Sequence, residues 1–288
     1  MVLDNYSHCD IIFTSHMKGH LRMYQHMTAS PNREGTKVRV PFAACLLFLF
    51  LLAVASLPAW AQDEDIGNEY RLTLFPSHRI NDKLTGFAYL GYVGNPEKDY
   101  QTYYLGWPAA AYAPNRWLQL WGGLVGLYTN NENSSDKLEL RPFIGVKLLL
   151  PNEAKWNIYN FTRYEYRGIQ DRDTHDWNSI HRLRSRFGVE FPLASRERAW
   201  QPGTLYGLAD VEPYYRFDRG EVDPFRVRGG IGCVLNDRVR VEFIYHAQFT
   251  RPAGSSGLKY TDNIFRLNIK IGLNKGIMGR LQNPDLDE

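Results

Sequence analysis

The feature that most constrains this chain is a two-residue alternation that persists for ten or more residues at a time. Between Arg182 and Phe191 one set of alternate positions reads Leu183, Ser185, Phe187, Val189, Phe191 and the other Arg182, Arg184, Arg186, Gly188, Glu190. Between Phe225 and Leu235 the sets are Phe225, Val227, Gly229, Ile231, Cys233, Leu235 and Arg226, Arg228, Gly230, Gly232, Val234. After Asn236-Asp237 the pattern resumes, with Val239, Val241, Phe243, Tyr245 set against Arg240, Glu242, Ile244, His246, and again near the end with Phe265, Leu267, Ile269, Ile271 against Arg266, Asn268, Lys270. Successive side chains of a strand point to opposite faces, so period two is the signature of strands with one apolar and one polar face. No 3.6-residue period is sustained anywhere.

Marking each such segment predicts ten long strands, near 83–93, 99–110, 116–129, 137–150, 155–167, 179–191, 203–217, 224–235, 238–250 and 261–273, preceded by a shorter alternating piece, Tyr70 to Phe75. Every second connection reads as short (Ala113-Pro114-Asn115, Pro151-Asn152-Glu153-Ala154, the stretch 195–202, Asn236-Asp237). The others (130–136, 168–178, 218–223, 250–262) read as longer and polar. Short turns on one side and long loops on the other are the plan of an outer-membrane barrel. A strand of about 11 residues at 3.3 Å each, tilted near 45°, covers roughly 26 Å along the membrane normal. The expected fold class is therefore all-β, a closed antiparallel transmembrane β-barrel of about ten strands, or twelve if the Tyr70–Phe75 region forms a hairpin. Both termini on one side would require an even number. A soluble sandwich is the competing fold, but its strands usually run five or six residues.

The beginning of the chain is of a different kind. Arg33, Lys37 and Arg39 precede an apolar run from Phe42 to Leu57, then Pro58 and the small-x-small tripeptide Ala59-Trp60-Ala61. That order is a secretory signal peptide, and the run is too short for a spanning helix. Met27 would give a leader of ordinary length. The expected division is 1–61 as leader, 62–82 as a periplasmic lead-in with a short strand, 83–273 as barrel and 274–288 as a periplasmic tail. Without the leader, Cys233 is left alone of the three cysteines, so no internal disulfide is expected.

Composition fits this plan. With 34 Lys and Arg against 31 Asp and Glu, the net charge of +3 is too small for a nucleic-acid binder recognised by its basicity. A mean hydropathy of −0.41 is what alternation yields when only every second residue meets lipid. Eighteen Tyr, 15 Phe and 7 Trp are many, and Trp107, Trp117, Trp121, Trp156 and Trp200 cluster near one set of strand ends, with Tyr92, Tyr100, Tyr103, Tyr128, Tyr164, Tyr166, Tyr215, Tyr245 and Phe249 nearer the other. Aromatic rings gather at the two interfaces of such barrels.

The polar face carries the candidate site. It holds Arg141, Lys147, Arg163, Arg167, Arg182, Arg184, Arg186, Arg216, Arg226, Arg228, Arg240, Arg266 and Lys270, against Glu139, Glu165, Glu190, Asp210, Glu212 and Glu242. That is 13 − 6 = +7 in a nearly neutral chain. The first three long strands offer almost no charge, only Gly86, Ala88, Gly91, Gly106, Gly122, Gly123 and Gly126, which predicts one smooth wall facing one studded with guanidinium groups. Interlocking Arg–Glu networks that replace a hydrophobic core are the plainer account of such an interior. An anion passage or an anion-binding cavity is the sharper one.

Motifs of catalysis are sparse. Ser179 and His181 share a face in Thr174-His175-Asp176-Trp177-Asn178-Ser179-Ile180-His181, which keeps a lipid-directed hydrolase in view, yet no G-x-S-x-G occurs. The acidic run 171–176 lacks the Gly and spaced Glu of a calcium loop, and no phosphate loop, dinucleotide fingerprint or CxxC pair is present. No catalytic residue, metal or cofactor is expected, and a purely structural or surface-interaction barrel is the third reading. The expected partners are outer-membrane lipids and the barrel-assembly and periplasmic chaperone machinery of a Gram-negative bacterium, with no nucleic acid.

The runs Tyr159-Asn160-Phe161-Thr162-Arg163-Tyr164-Glu165-Tyr166-Arg167, His181-Arg182-Leu183-Arg184-Ser185-Arg186-Phe187, Asp210-Val211-Glu212-Pro213-Tyr214-Tyr215 and Arg226-Val227-Arg228-Gly229-Gly230-Ile231-Gly232 together resemble the outer-membrane barrel family called domain of unknown function 2490. The resemblance covers most of residues 69–273. It implies a barrel in the outer membrane and no established activity, catalytic residue or cofactor.

Overall fold

The structure, a computed structural model, describes residues 66–252 and 257–274. The expected leader, its start at Met27 and the tail beyond residue 274 lie outside the described residues.

Eleven strands follow one another around a closed barrel: β1 (Gly67–Arg79), β2 (Leu84–Asn95), β3 (Tyr100–Asn115), β4 (Leu118–Asn131), β5 (Lys137–Leu150), β6 (Asn157–Asp171), β7 (Trp177–Pro192), β8 (Leu205–Arg216), β9 (Glu221–Asn236), β10 (Val239–Thr250) and β11 (Lys259–Gly272). A single 3-10 turn, Arg196–Arg198, is the one helical piece among the described residues. All ten expected strands are present. The alternating piece Tyr70–Phe75 is the centre of a full thirteen-residue strand rather than a lead-in.

That eleventh strand overturns the even-number argument. Sequential neighbours pair antiparallel, but β1 closes the barrel on β11 in parallel, in unbroken register from Gly67 opposite Asp262 to Ser77 opposite Gly272. Parallel strands can form a ladder as well as antiparallel ones, so closure satisfies the backbone of both edge strands and sets no parity. Gly67 and Gly272 consequently lie at opposite ends of the barrel.

The connections also differ from expectation. Those at the end where β11 finishes are 80–83, 116–117, 151–156, 193–204 and 237–238; those at the other end are 96–99, 132–136, 172–176, 217–220 and the link from Thr250 to Lys259. The longest described connection, 193–204, is on the side predicted to be short. The expected long loops shrink because pairing continues past the apolar positions: Ile169 still opposes Asn178 and Gln170 still opposes Trp177, so β6 and β7 run on through polar residues.

The wall separates residues by parity in an inside-out manner. Outward positions expose large apolar side chains, with Ile144 at 67% and Phe187 at 55%, while inward positions bury charges, with Glu165 at 1% and Glu212 at 2%. Trp107, Trp117 and Trp156 stand exposed on the outside near one end, and Tyr103, Tyr128, Tyr164, Tyr166, Tyr215 and Tyr245 near the other. Trp121, Trp200 and Tyr100 do not join these belts. Trp121 turns inward and stacks on Phe87 at 4.6 Å, the Trp200 indole N–H donates to the Lys155 carbonyl at 2.7 Å beside Tyr206, and Tyr100 donates to Glu69.

Candidate functional site

The barrel interior divides along its circumference. Strands β1 to β5 send in mostly aromatic and small residues: Phe87, Ala109, Ala111 and Phe143 form one buried cluster, with Phe75, Tyr89, Trp121 and Val125 packed against it. The expectation of a smooth glycine wall fails here. Gly86, Ala88, Gly122 and Gly126 occupy outward positions, alternating with inward Phe87, Trp121 and Val125, since a shift of one residue exchanges faces. Gly91 and Gly106 do face inward, but tyrosine rings lie against them. A Cβ at Gly91 would fall 1.8 Å from the Tyr104 ring, and one at Gly106 2.7 Å from Tyr89. The missing side chains let the rings approach the sheet closely.

Strands β6 to β11 supply most of the charges, joined by Glu69 and Arg71 of β1 and by Glu139, Arg141 and Lys147 of β5. Arg141, Arg163, Arg167, Arg182, Arg184, Arg186, Arg226, Arg228 and Arg266 all line the central cavity. Arg240 is buried below it, with its guanidinium 5.2 Å from the Trp200 ring. The five acidic partners expected from sequence, Glu165, Glu190, Asp210, Glu212 and Glu242, are buried on the same face.

Three of the carboxylates, Glu139, Glu165 and Glu212, each serve more than one cation. Glu165 receives Arg163 at 2.7 Å, Arg182 at 2.5 Å and Arg184 at 2.9 Å. Arg184 reaches on to Glu212 at 2.9 Å, which also binds Arg186 at 3.0 Å and accepts the Tyr214 hydroxyl at 2.8 Å. Glu139 takes Arg141 at 2.7 Å and both ends of the Arg167 fork at 2.7 Å. Asp210 pairs with Arg228 at 2.5 Å, and Glu242 holds Lys270 and the Tyr206 hydroxyl. The chain R-x-E-x-R on β6 and R-x-R-x-R on β7 thus works across the strand pair. Glu165 lies directly opposite Arg182, and Arg163 opposite Arg184, so one strand's carboxylate falls between the other's guanidinium groups.

The pairing leaves a surplus. The cavity wall carries twelve Lys and Arg side chains and five carboxylates, and even with Glu139, Glu212 and Asp262 buried behind it the cations outnumber the acids. Among the described residues Lys147, Arg226 and Arg266 have no carboxylate within ion-pair distance. Lys147 lies 4.5 Å from the centre of the Tyr159 ring, and Arg226 donates to Gln248 at 2.6 Å and to the Tyr214 hydroxyl at 2.5 Å. The cavity they surround is about 590 Å³. Glu69 and Arg71, an ion pair at its upper wall, escaped the sequence reading because β1 was expected to be a lead-in. The Arg71 and Glu69 alternation within Gly67–Arg79 was the signal available.

Arg216 lies at the rim and pairs with Asp218 of the adjoining turn at 2.6 Å rather than with the cavity network. His181 lies on the outer wall, hydrogen-bonded through Nδ1 to the Tyr164 hydroxyl at 2.5 Å and ringed by Tyr166. Cys233 is outward and free. No group of three or more potential metal ligands occurs among the described residues.

Fold and interior together define a closed β-barrel with an ion-paired, net-positive lumen. The family model described as "Protein of unknown function (DUF2490)" matches residues 64–258, and the chain belongs to that family. No curated protein and no solved structure matches it.

Proposed function

We infer that this protein is an outer-membrane barrel, exported through a cleaved leader, whose cationic interior binds small anionic solutes. The observation that carries this reading is the inverted wall: apolar outside, charged inside, with more inward cations than inward carboxylates. An exposed belt of Leu, Ile and aromatic residues around a full barrel is unfavourable in water and suits lipid, and closure leaves no unpaired backbone edge for the bilayer to accommodate. A buried guanidinium without a counter-charge is costly, and an anion from solution offsets that cost.

Binding is favoured over free passage because bulky side chains fill the interior toward the end where β11 finishes. Tyr206, Leu208, Val234 and Ile244 pack there beneath Trp200. The test is calorimetric titration of the folded, detergent-purified barrel with sodium sulfate. Saturable binding that weakens as ionic strength rises is expected, and heat-modifiable migration together with outer-membrane fractionation of the expressed chain checks its location. Absence of saturable sulfate binding, or recovery of the chain in the soluble fraction, contradicts the reading.

A further inference from the structure

Arg266 stands where the two halves of the lumen meet. It lies on β11 opposite Arg71 of β1, and its Nη2 donates to the Thr73 hydroxyl at 3.2 Å, which is itself bonded to the Tyr104 hydroxyl at 2.5 Å. One polar chain therefore runs from the charged wall to a ring of the aromatic wall. The Nε of Arg266 is buried and has no hydrogen-bond partner, and the same holds for Nη2 of Arg228 and both ring nitrogens of His246. These three residues occupy neighbouring rows of the inner face: Arg228 opposes His246 on β10, His246 opposes Ile264 on β11, and Arg266 is the next inward residue on β11. Buried polar atoms that are left unpaired are rare in a finished fold, and the unpaired guanidinium donors of Arg266 and Arg228 mark a missing acceptor.

The other side of the space determines what that acceptor belongs to. Tyr89 and Tyr104 pack against Gly106 and Gly91 and line the cavity. A cavity of about 590 Å³ exceeds what a small inorganic ion fills and falls within the size range of small-molecule sites. Aromatic rings on one wall and unpaired guanidinium donors on the other match a molecule that has both a planar apolar body and a carboxylate.

We propose that the lumen binds an aromatic carboxylate, with the carboxylate on Arg266 and Arg228 and the ring against Tyr89 and Tyr104. This rests on the anion-binding reading and specifies its ligand class. The charge-assisted bonds fix one end, and ring contact excludes water from the other.

The experiment is calorimetry on the folded mature barrel with three probes, 2-naphthoate, acetate and 2-naphthylmethanol, beside the sulfate titration. Naphthoate is expected to bind at least about tenfold more tightly than either acetate or the alcohol, since each lacks one of the two contacts. Arg266→Gln is expected to weaken naphthoate about tenfold or more while its heat-modifiable migration persists. Should that variant fail to fold, Arg266→Lys, which keeps the charge and loses the Nε donor, is expected to weaken naphthoate severalfold. Equal affinity for acetate and naphthoate overturns the proposal and leaves the anion-binding reading standing. Equal affinity for the alcohol and naphthoate overturns the role of Arg266. If sulfate binds and naphthoate does not, only the ligand class fails; if neither binds, both readings fail.

Discussion

The two halves of the lumen fill the same space by opposite means. On β1 to β5 the interior is mostly made of rings, with Phe87 tilted against Phe75 at 5.2 Å and stacked on Trp121 at 4.6 Å, and those rings need nothing from outside. On β6 to β11 it is made of ions that share carboxylates, and it ends with cations to spare. A ring satisfies itself by contact, whereas a guanidinium satisfies itself only against an acceptor. The shortage of acceptors around the cations, beside rings that need none, is what turns an ordinary barrel filling into a candidate binding surface.

The largest expected effect breaks the ionic half at its centre. Glu165→Ala leaves Arg163, Arg182 and Arg184 around an empty space, and removing one partner of a buried ionic network costs about 3–5 kcal/mol. The temperature at which heat-modifiable migration is lost should fall sharply, and sulfate should restore more of it in the variant than in the parent protein. In the aromatic half, Phe87→Ala removes a buried ring stacked on Trp121, for a comparable loss of about 3–5 kcal/mol. Sulfate should give no extra rescue there. Equal rescue of both variants would erase the distinction between the halves.

A smaller change probes the boundary. Gly91→Ala places a methyl where the Tyr104 ring now lies, and overpacking of this kind costs about 1–3 kcal/mol. Displacing that ring also breaks its bond to Thr73, so naphthoate affinity should fall along with thermal stability. The smallest effect lies outside the wall. Asp136, in the turn after β4, accepts the Tyr128 hydroxyl and the Asn131 amide, and the Tyr128 bond above all holds its carboxyl below the usual range. A depressed folded-state value adds stability above the unfolded value near 3.8 and loses it as pH falls through the folded one. Asp136→Asn should therefore flatten the stability of this turn below about pH 4, read as a reduced acid-induced rise in local hydrogen exchange.

Much of this was legible beforehand because period two is so strong in β7, β9, β10 and β11, where polar and apolar positions separate cleanly. The inward set Arg182, Arg184, Arg186 could be read from a single strand. The aromatic half resisted for a physical reason. In β2, β3 and β4 both faces carry apolar or small residues, so composition gives no sign of which is inside, and bulges near Phe87 and Gly106 reset the register within the strand. Trp121 and Tyr100 could not be told from interface residues by type alone. β1 was shortened because Pro76 and Ser77 interrupt its apolar alternation, while its ladder with β11 extends through both. The surplus of charge was visible in the sequence, but the identity of the unpaired cations was not. Arg228 and Arg266 look alike in the strand pattern, and only the placement of Asp210 opposite Arg228 separates them.

The central claim is that the ionic half has vacant positive charge facing the cavity. A crystal structure of the folded barrel soaked in sodium bromide tests it directly through the anomalous signal of the anion. The account predicts a bromide peak inside the lumen, within contact distance of the Arg266 guanidinium and on the side of Arg228. Bromide confined to the outer rims, with the space beside Arg266 filled by a protein carboxylate or by nothing but water, would contradict it.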